Sequence, residues 1–449
     1  MRYPRLINNV SALQAFQLFR FISFTLISIY FTKSSLSIDE IGDYEFLLFL
    51  ASALSFFWVT GIVQSLLPLY NSNKIFYHDK SRSTRRSPEI FNAFLFITFF
   101  SLLVVLILLF FRNHIAVYAS VKPIPYFNLL LWYILLSNPA CLVEYIYLLR
   151  NKALKILSYG FYAFTLQTFA VCLPVILGYG LRGALYGLIA ASAFRMIWLI
   201  IMLFRYSRFE FSWPYLRLHF HLGMPLILST LLSGSAQYVD GIIVSSKFSP
   251  QDFAYFRYGA KEMPLVVMLA SGLNNAMLPE FYSEKKIQHA LSAIKEKSRR
   301  LMHFLFPLTI LLLIYSNDIY YFLFTRRFYR SADVFMVYLL LIISRLLFPQ
   351  TILVGLKNTS VVMVASVLSI LMNVALSLLL IPVNGIVGVA VATVIVYFLE
   401  KAVLMAYNYF HYHIRPSAYT PVKTFLFYSL VLVLLFILID RRIIMLPRR

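Results

Sequence analysis

The sequence predicts an all-α integral membrane protein, because it combines an apolar composition, uncharged runs of membrane-spanning length and an internal repeat. Of its 449 residues, 61% are hydrophobic and only 13% are charged, which is not the composition of a soluble domain. The run from Phe91 to Phe111 has about 20 residues without a charge, the length of a helix that crosses a bilayer core. We therefore expect about twelve core transmembrane helices and one additional C-terminal apolar segment.

The expected spans follow one another with short connections. In chain order they cover residues 13–31, 44–67, 90–111, 126–149, 156–178, 183–204, 222–244, 254–278, 301–324, 334–356, 360–381 and 386–408, with the additional segment at 424–440. The sequence leaves open whether this short last segment crosses the membrane. If it does, the basic residues of 441–449 lie outside, against the rule that Lys-rich and Arg-rich loops stay inside.

The net charge of +22 is distributed unevenly between alternate connections. With the N-terminus placed inside, roughly 22 Lys and Arg residues fall on the inner side and roughly 8 on the other. The N-terminus is therefore expected to be cytoplasmic. The richest basic stretches, 73–87 and 284–300, are expected to face the cytoplasm near anionic lipid head groups, and nucleic acid is not expected as a partner.

An internal repeat divides the chain into two halves. "LSIDEIGDY" at 36–44 resembles "FSPQDFAYF" at 248–256, and Pro68 falls on Pro279 in almost the same register. The basic turns "LLRNK", ending at 152, and "GLKN", ending at 358, continue the alignment with a shift of only a few positions. We predict an N-terminal six-helix lobe at 1–210, a C-terminal six-helix lobe at 211–410 and a tail at 411–449.

The sixth and twelfth spans begin with the same motif. In the repeat, Gly180 and Gly183 fall on Gly385 and Gly388, and each pair follows a proline by a few positions. Glycines at these positions predict a tight hairpin followed by a helix that packs closely on its neighbour. Because each half has an even number of spans, the repeat is parallel, an arrangement in which transporters place a central site between two lobes.

Ionisable residues inside the predicted spans are the candidate functional residues, because each costs about 2.5–3.5 kcal/mol at a helix centre. Such residues need an ionic partner, a water-filled cavity or a route to the membrane surface. They are Arg20, Glu144, Arg195, Asp240, Arg257, Lys261, Glu262, Arg345, Glu400 and Lys401.

Depth in the membrane separates these residues. Arg195 and Arg345 lie near the middle of their spans, and Arg20 lies a third of the way in, on one helical face with Gln17. These three arginines are expected to line a cationic substrate path, the alternative for Arg195 and Arg345 being structural ion pairs. Glu144 lies close to the basic inner turn and is expected to form a salt bridge there.

Asp240 and the pair Arg257 and Lys261 lie near the outer ends of consecutive spans. They are expected either to form an outer ion-pair gate, with a role in gating or coupling, or to reach the membrane surface separately. In the register of the hairpin glycines, Arg195 corresponds to Glu400, so these two residues are candidates for a pair across the central axis. Separate local roles for them remain open.

The chemistry favours a transported anion. Basic residues outnumber acidic ones among the ionisable residues in the spans, and the two most central are arginines, whose fork geometry suits phosphate. The sequence contains no Gly-x-x-x-x-Gly-Lys-Ser/Thr loop, no catalytic Ser-His-Asp or Cys-His arrangement and no convincing metal-ligand spacing. We therefore expect neither an enzyme nor a bound cofactor or metal.

Three stretches carry a family resemblance. They are "SIDEIGDYEFLLFLASALSFFWVTGIVQSLLPLY" after the first span, "QYVDGIIVSSKFSPQDFAYFRYGAKEMP" at the start of the second half, and "SILMNVALSLLLIPVNGIVGVAVATVIVYFLE" near its end. Over roughly residues 10–410 the chain resembles the Wzx-type polysaccharide flippases for O-antigen or capsule. These belong to the MATE-like multidrug/oligosaccharidyl-lipid/polysaccharide exporter superfamily. Asn373, Pro382, Gly385 and Gly388 carry the most specific part, and Asp240 matches an Asp common in the seventh span.

The resemblance implies a bacterial inner-membrane protein that moves undecaprenyl-pyrophosphate-linked oligosaccharide from the cytoplasmic to the outer leaflet. It implies alternating access coupled to a gradient of H⁺ or Na⁺, and a polysaccharide polymerase and a chain-length regulator as partners. Two alternatives from other classes remain: a MATE-like exporter of small molecules, which would need deep acidic residues, and a membrane polysaccharide polymerase, which would need a sizeable extramembrane loop.

Overall fold

In a computed structural model, residues 9–76, 86–118, 124–282 and 287–440 are described, and they are almost entirely helical. Eight helices in these ranges are long and apolar enough to cross a membrane, and three bent helix pairs raise the number to eleven if each pair is one span. The chain is therefore an all-α, multi-pass membrane protein, as predicted. The terminal segment 441–449 and most of the basic stretch 73–87 lie outside the described residues.

The chain divides into two compact units, Met1–Gly234 and Ser235–Arg449. The helices of the first unit are α1 (Asn9–Lys33), α2 (Ile38–Phe76), α3 (Pro88–Tyr118), α4 (Phe127–Ala140), α5 (Leu142–Leu149), α6 (Ala153–Ile176), α7 (Gly180–Tyr206) and α8 (Trp213–Gly234). Each of the first six predicted spans falls on these helices, the fourth being shared by α4 and α5, although α2 and α3 extend several residues beyond the predicted ends. In this unit α1 and α7 pack on α6, and α8 packs on α2.

The second unit contains shorter helices. They are α9 (Ala236–Lys247), α10 (Pro250–Gly259), α11 (Pro264–Met277), α12 (Ile287–Ile314), α13 (Ser316–Phe324), α14 (Tyr329–Leu339), α15 (Ile342–Arg345), α16 (Pro349–Gly355), α17 (Thr359–Tyr412), α18 (Pro416–Tyr419) and α19 (Val422–Asp440). Two 3₁₀ turns, Leu278–Tyr282 and Arg326–Phe328, connect some of them. The segment predicted at 424–440 is α19, which packs against α12.

Four spans that the sequence predicts as single helices are broken: those at 222–244, 254–278, 301–324 and 334–356. Proline explains two of the breaks. Pro264 and Pro349 each begin a new helix, because a residue that precedes proline is kept out of the helical conformation. The first six predicted spans contain a single break, at Cys141 between α4 and α5.

The long helix α17 is two antiparallel arms that meet at Gly385, whose φ of 56° departs from the helical conformation. Hydrogen bonds join residues on either side of this break: Asn373 donates to Thr393 over 2.9 Å, and Asn358 donates to Tyr407 over 3.2 Å. The predicted hairpin is confirmed. The approach is close, because a Cβ on Gly388 would lie 2.6 Å from the Leu380 carbonyl oxygen.

The hairpin between α6 and α7 has the same design. Gly180 also has a positive φ, 59°, and a Cβ on Gly187 would overlap the Ala170 carbonyl oxygen. Gly180 and Gly385 are the two residues that the predicted repeat aligns. In both hairpins the second helix approaches the backbone of the first, which explains why Gly187 and Gly388 have no side chain.

Two other aligned positions have matching local geometry. Asn151 and Lys357, in the aligned basic turns, both have a left-handed backbone, and each is followed by a residue whose N–H bonds back across the turn. Ser37 and Ser249, which the repeat also aligns, both begin a helix and accept a hydrogen bond from the backbone N–H three positions later, over 3.2 and 3.1 Å. These matches support the predicted parallel repeat.

Candidate functional site

The ionisable residues of the predicted spans gather into groups within each unit. In the first unit, Arg195 on α7 donates from Nε to the Tyr159 hydroxyl over 3.3 Å, and its guanidinium lies 5.6 Å from the centre of the Phe164 ring. Glu144 in the first turn of α5 is buried. The contacts of Arg195 are thus with Tyr159 and Phe164, and its role in a substrate path stays a prediction.

The salt bridge expected between Glu144 and the basic inner turn is wrong. Its Oε2 atom has no hydrogen-bond partner among the described residues. Arg150 of that turn instead donates to the Ser87 hydroxyl over 2.7 Å, and Lys152 donates to the Tyr206 hydroxyl over 2.8 Å. The reason is distance, because Glu144 lies about 9 Å along the helix from Arg150.

Arg20 lies on an exposed face of α1. Gln14 and Gln17 are exposed on the same face, each one helical turn from the next. A polar, exposed stripe on a membrane helix is suited to a water-filled path, as the sequence predicts for Arg20. That role stays a prediction.

The first group in the second unit surrounds Asp240 on α9, which is 4% exposed. Its Oδ2 atom accepts hydrogen bonds from the Tyr338 hydroxyl over 2.7 Å and from the Thr393 hydroxyl over 2.5 Å. Asn373 donates to Thr393 over 2.9 Å and accepts from Ser377 over 3.2 Å. Both side chains that donate to this buried carboxylate are neutral, and its Oδ1 atom has no partner among the described residues.

The ion-pair gate of Asp240 with Arg257 or Lys261 does not form in this structure. Asp240 points instead to the hydroxyls of Tyr338 and Thr393, on α14 and the second arm of α17. Lys261 lies in the break after α10, with its ammonium 5.0 Å from the centre of the Tyr258 ring.

Arg345, at the end of α15, forms a two-point ion pair with Glu262. Its Nε atom donates to Oε2 over 2.8 Å and its Nη2 atom donates to Oε1 over 2.5 Å. The guanidinium also lies 4.9 Å from the centre of the Tyr397 ring. The side chains are 29% and 26% exposed, so this pair, unlike Asp240, keeps access to solvent or lipid. The structure thus shows Arg345 in an ion pair, which is the alternative that the sequence left open, and its role in a substrate path stays a prediction.

Tyr338 connects the two sites of the second unit. Its hydroxyl donates to Asp240, and its side chain lines a small cavity together with Glu262 and Arg345. No sequence signal identifies Tyr338, Thr393 or Glu262 as partners, although Asn373 belongs to the motif that carries the resemblance.

Glu400 lies on the second arm of α17 and accepts a long hydrogen bond of 3.5 Å from Ser366. The neighbouring Lys401 has its ammonium 3.9 Å from Glu400 and donates to Gln350 over 3.1 Å. Glu400 thus has local partners within the second unit, as Arg195 has in the first. Pairing of Arg195 with Glu400 stays a prediction.

The described residues contain no cluster of three or more His, Cys, Asp or Glu side chains that could hold a metal ion. The oxygen atoms around Asp240 form a different kind of site. The carboxylate of Asp240 and the hydroxyls of Tyr338 and Thr393 are hard oxygen ligands, which suit a proton or an alkali or alkaline-earth cation rather than a transition metal. The Asn373 amide reaches this group through its N–H and not through its carbonyl.

Comparison with known proteins gives a family and a fold. Residues 46–333 match the family model described as polysaccharide biosynthesis protein. Among solved structures, the lipid II flippase MurJ in an inward closed conformation has a TM-score of 0.67 at 17% identity, covering 96% of this chain and 93% of that chain. An inward-facing multidrug resistance MATE family transporter of the MOP superfamily has a TM-score of 0.57 at 13% identity, covering 92% and 94%.

A MOP superfamily transporter from Pyrococcus furiosus has a TM-score of 0.53 at 13% identity, covering 95% of this chain and 97% of that chain. The comparison with curated proteins found no match. At these identities the structural likenesses establish the fold, which is that of the MATE-like transporters, and the predicted resemblance is confirmed at that level.

Proposed function

The chain belongs to the polysaccharide biosynthesis protein family, and we propose that it is a flippase for undecaprenyl-pyrophosphate-linked oligosaccharide. It moves this lipid from the cytoplasmic to the outer leaflet of a bacterial inner membrane by alternating access, for the synthesis of O-antigen or capsule. The N-terminus lies in the cytoplasm, and the basic inner connections contact anionic lipids. A polysaccharide polymerase and a chain-length regulator act with it.

One observation carries the choice of substrate: an arginine at the middle of a predicted span holds a carboxylate in two-point geometry. The same geometry binds a phosphate, and the pyrophosphate is the charged group that a polyprenyl-linked sugar has to take across the apolar core. The lipid II flippase that shares the fold supports a lipid-linked substrate. Arg195 and Arg20 in the first unit add positive charge to the path.

Cation coupling is assigned to Asp240. A buried carboxylate whose hydrogen-bond donors are neutral leaves one negative charge uncompensated, which is costly in the membrane interior. Binding of H⁺ or Na⁺ at its Oδ1 atom removes that cost. A gradient of the ion therefore favours the conformations in which Asp240 has the ion bound. Such a shift in conformational populations is what coupled transport requires.

Reconstitution tests this function. The purified full chain is placed in liposomes that carry fluorescent undecaprenyl-pyrophosphate-linked oligosaccharide, and an external glycosidase reports how much glycan reaches the outer leaflet with time. We expect protein-dependent exposure beyond the fraction initially outside, accelerated by an imposed H⁺ or Na⁺ gradient. Arg345→Ala is expected to reduce this exposure, whereas Arg300→Ala on the exposed part of α12 serves as the control for lost positive charge.

The outcomes separate the alternatives. If the lipid does not move but a cationic dye is expelled from the same liposomes, the chain is a small-molecule exporter. If the lipid-linked oligosaccharides become longer when supplied in the outer leaflet, the chain is a polymerase. If exposure occurs but no ion gradient changes its rate, the flippase proposal stands and the coupling role of Asp240 is wrong.

A further inference from the structure

The segment Ala260–Met263 interrupts the eighth predicted span inside the second unit. Gly259 ends α10 where a Cβ would overlap the Ser331 carbonyl oxygen, so the chain is held tightly against α14 up to this point. Pro264 then begins α11, with Met263 in an extended conformation before it. The segment between them therefore lies outside both helices. Such interruptions occur in transporters where an irregular backbone lines a site.

The corresponding part of the first half is different. In the register that aligns Pro68 with Pro279, Lys261 and Glu262 fall on Leu50 and Ala51, which lie in the uninterrupted helix α2. The second half thus differs from the first in two ways at one place: the helix is broken, and a charged pair replaces two apolar residues. Neither change is required by the fold, because the first half lacks both.

Glu262 from this break occupies Arg345. The carboxylate accepts from both Nε and Nη2, which are two donors that a guanidinium offers side by side to a carboxylate or a phosphate. The Tyr397 ring lies against the guanidinium, 4.9 Å from its centre. A second anion can therefore reach this fork of Arg345 only when Glu262 moves away.

We propose that Glu262 is a built-in competitor that holds the place of the substrate pyrophosphate at Arg345. This inference rests on the proposed flippase function and adds a residue and a step to it. The pyrophosphate displaces the Glu262 carboxylate from Arg345. The non-helical segment between α10 and α11, which carries Glu262, allows the carboxylate to move away. Arg345 then keeps an anionic partner at every stage, and the freed carboxylate, already 26% exposed, reaches a more polar surrounding.

Release is the purpose of such a competitor. An arginine that bound pyrophosphate without competition would hold the lipid too tightly to release it in the outer leaflet. When Glu262 returns to Arg345 at the end of the cycle, it lowers the affinity of Arg345 for the pyrophosphate. The decrease in binding free energy equals the cost that the substrate pays on arrival to displace Glu262. The competitor role therefore predicts that removing the charge of Glu262 strengthens pyrophosphate binding and slows lipid transport.

The test uses farnesyl pyrophosphate as the probe, with the purified full chain in detergent. Glu262→Gln keeps the size of the side chain and removes its charge, and we expect the dissociation constant for the probe to fall about tenfold. In the reconstituted assay the same variant is expected to move the lipid more slowly than the wild type. Glu296→Gln, on the exposed part of α12, removes an equal charge away from the site and is expected to change neither.

A double variant tests whether the gain passes through Arg345. Arg345→Ala is expected to lose most of the affinity, and Glu262→Gln in that background is expected to give no gain. If Glu262→Gln raises the affinity for farnesyl pyrophosphate equally with and without Arg345, the competitor role is overturned. If Glu262→Gln lowers thermal stability and leaves the affinity unchanged or weaker, the ion pair is purely structural and the inference is also overturned.

Glu262→Asp covers the case in which the glutamine variant does not fold. The shorter side chain keeps the charge but cannot make both contacts in the same position, and an intermediate gain in affinity is expected. No gain in a folded Glu262→Asp protein counts against the proposal. These outcomes differ from failure of the flippase function, in which the wild type itself would not move the lipid.

Discussion

The two units use equivalent helices with different chemistry. In the first unit, α1 and α6 are joined by the neutral pair Ser23 and Thr168, whose hydroxyl oxygens are 2.8 Å apart. In the register of the hairpin glycines, Thr168 aligns with Asn373, which belongs to the group around the carboxylate of Asp240. The polar contact is retained, but only the second unit has a charge in it.

The contact between the second and fourth spans of each half shows the same contrast. In the first unit, Asn138 on α4 donates to the Ser55 hydroxyl on α2 over 2.9 Å. In the second unit, the equivalent pair of spans is joined by the ion pair of Arg345 with Glu262. A neutral hydrogen bond has been exchanged for two opposite charges, which can be separated and can bind other ions.

The helices are interrupted in the unit that carries the charged contacts. Most helices of the first unit run without interruption, whereas the spans that carry Glu262 and Arg345 are broken beside these residues. A broken helix has fewer hydrogen bonds to lose when a side chain moves, so rearrangement costs less there. We infer that ion coupling and anion exchange are concentrated in the second unit. In the first unit, the proposed path residues Arg195 and Arg20 lie on continuous helices.

The largest expected effect comes from Asp240. Asp240→Asn keeps the shape of the side chain and removes the charge that we propose binds the coupling cation, so gradient-driven lipid exposure is expected to fall about 100-fold. Farnesyl pyrophosphate binding is expected to remain within a factor of about three of the wild type, because Arg345 is intact. Rates in liposomes with imposed H⁺ or Na⁺ gradients provide the measurement.

The matched control for Asp240 lies in the first unit. Thr168→Val removes the neutral hydroxyl pair at the aligned position and is expected to leave the gradient dependence unchanged. Equal losses in Thr168→Val and Asp240→Asn would show that the coupling is shared between the units and is not a property of the second one.

The next effect concerns the fork of Arg345. Arg345→Lys keeps the positive charge but replaces two directed donors by a point charge, so farnesyl pyrophosphate affinity is expected to fall about 10- to 100-fold, corresponding to one lost charge-assisted hydrogen bond. Isothermal titration of the purified protein measures this change. Asn138→Ala, at the equivalent contact of the first unit, is expected to alter stability but not affinity. A lysine variant with wild-type affinity would contradict a two-point anion site.

Much of this fold could be predicted from the sequence, because apolar runs of about 20 residues locate the spans and the hairpin glycines locate two turns. The predicted spans coincide with helical parts of the structure, including the segment at 424–440. The breaks could not be placed in the same way, since hydropathy averages over them. Pro264 and Pro349 were the available local signals for two of the breaks.

The candidate site was less predictable. Depth in the membrane identifies Arg195 and Arg345 as unusual, and Asp240 stands out as an ionisable residue within a span, but neither observation tells which helix a side chain faces. The partners of Arg345 and Asp240 lie 83 and 153 residues away along the chain, in Glu262 and Thr393. Such contacts depend on helix rotation and packing. Nearness in sequence suggested cations of the next span as possible partners of Asp240, whereas in the structure its partners are the hydroxyls of Tyr338 and Thr393.

A smaller effect is expected at the two hairpins. Gly187→Ala places a Cβ on the Ala170 carbonyl oxygen, and this overlap is deeper than that of Gly388→Ala, whose Cβ lies 2.6 Å from the Leu380 carbonyl oxygen. Both clash with backbone, and overpacking of this kind costs about 1–3 kcal/mol. We expect Gly187→Ala to destabilise the protein more, as measured by the melting temperature in detergent. The reverse order would mean that the first hairpin adjusts more easily than the second, against the view that the first unit is the more rigid one.

The smallest effects are expected at the helix starts that the repeat aligns. Ser37→Ala and Ser249→Ala each remove the side-chain acceptor for a backbone N–H at the first turn of α2 and α10, at a cost of about 1 kcal/mol. Glycine in place of either serine is expected to cost only a few tenths of that amount, because it is tolerated at this position. Melting temperatures of the four variants provide the measurement.

The rate of lipid transport is expected to differ between the Ser37 and Ser249 variants even where their stabilities are equal. The helix α10 leads directly into the break that carries Glu262, while α2 runs on as one helix. If anion exchange depends on the position of that break, Ser249→Ala slows lipid movement more than Ser37→Ala at equal loss of stability. Equal slowing by both variants would instead indicate that the break responds only to the overall stability of the fold, and the special role of the second unit would then rest on its charges alone.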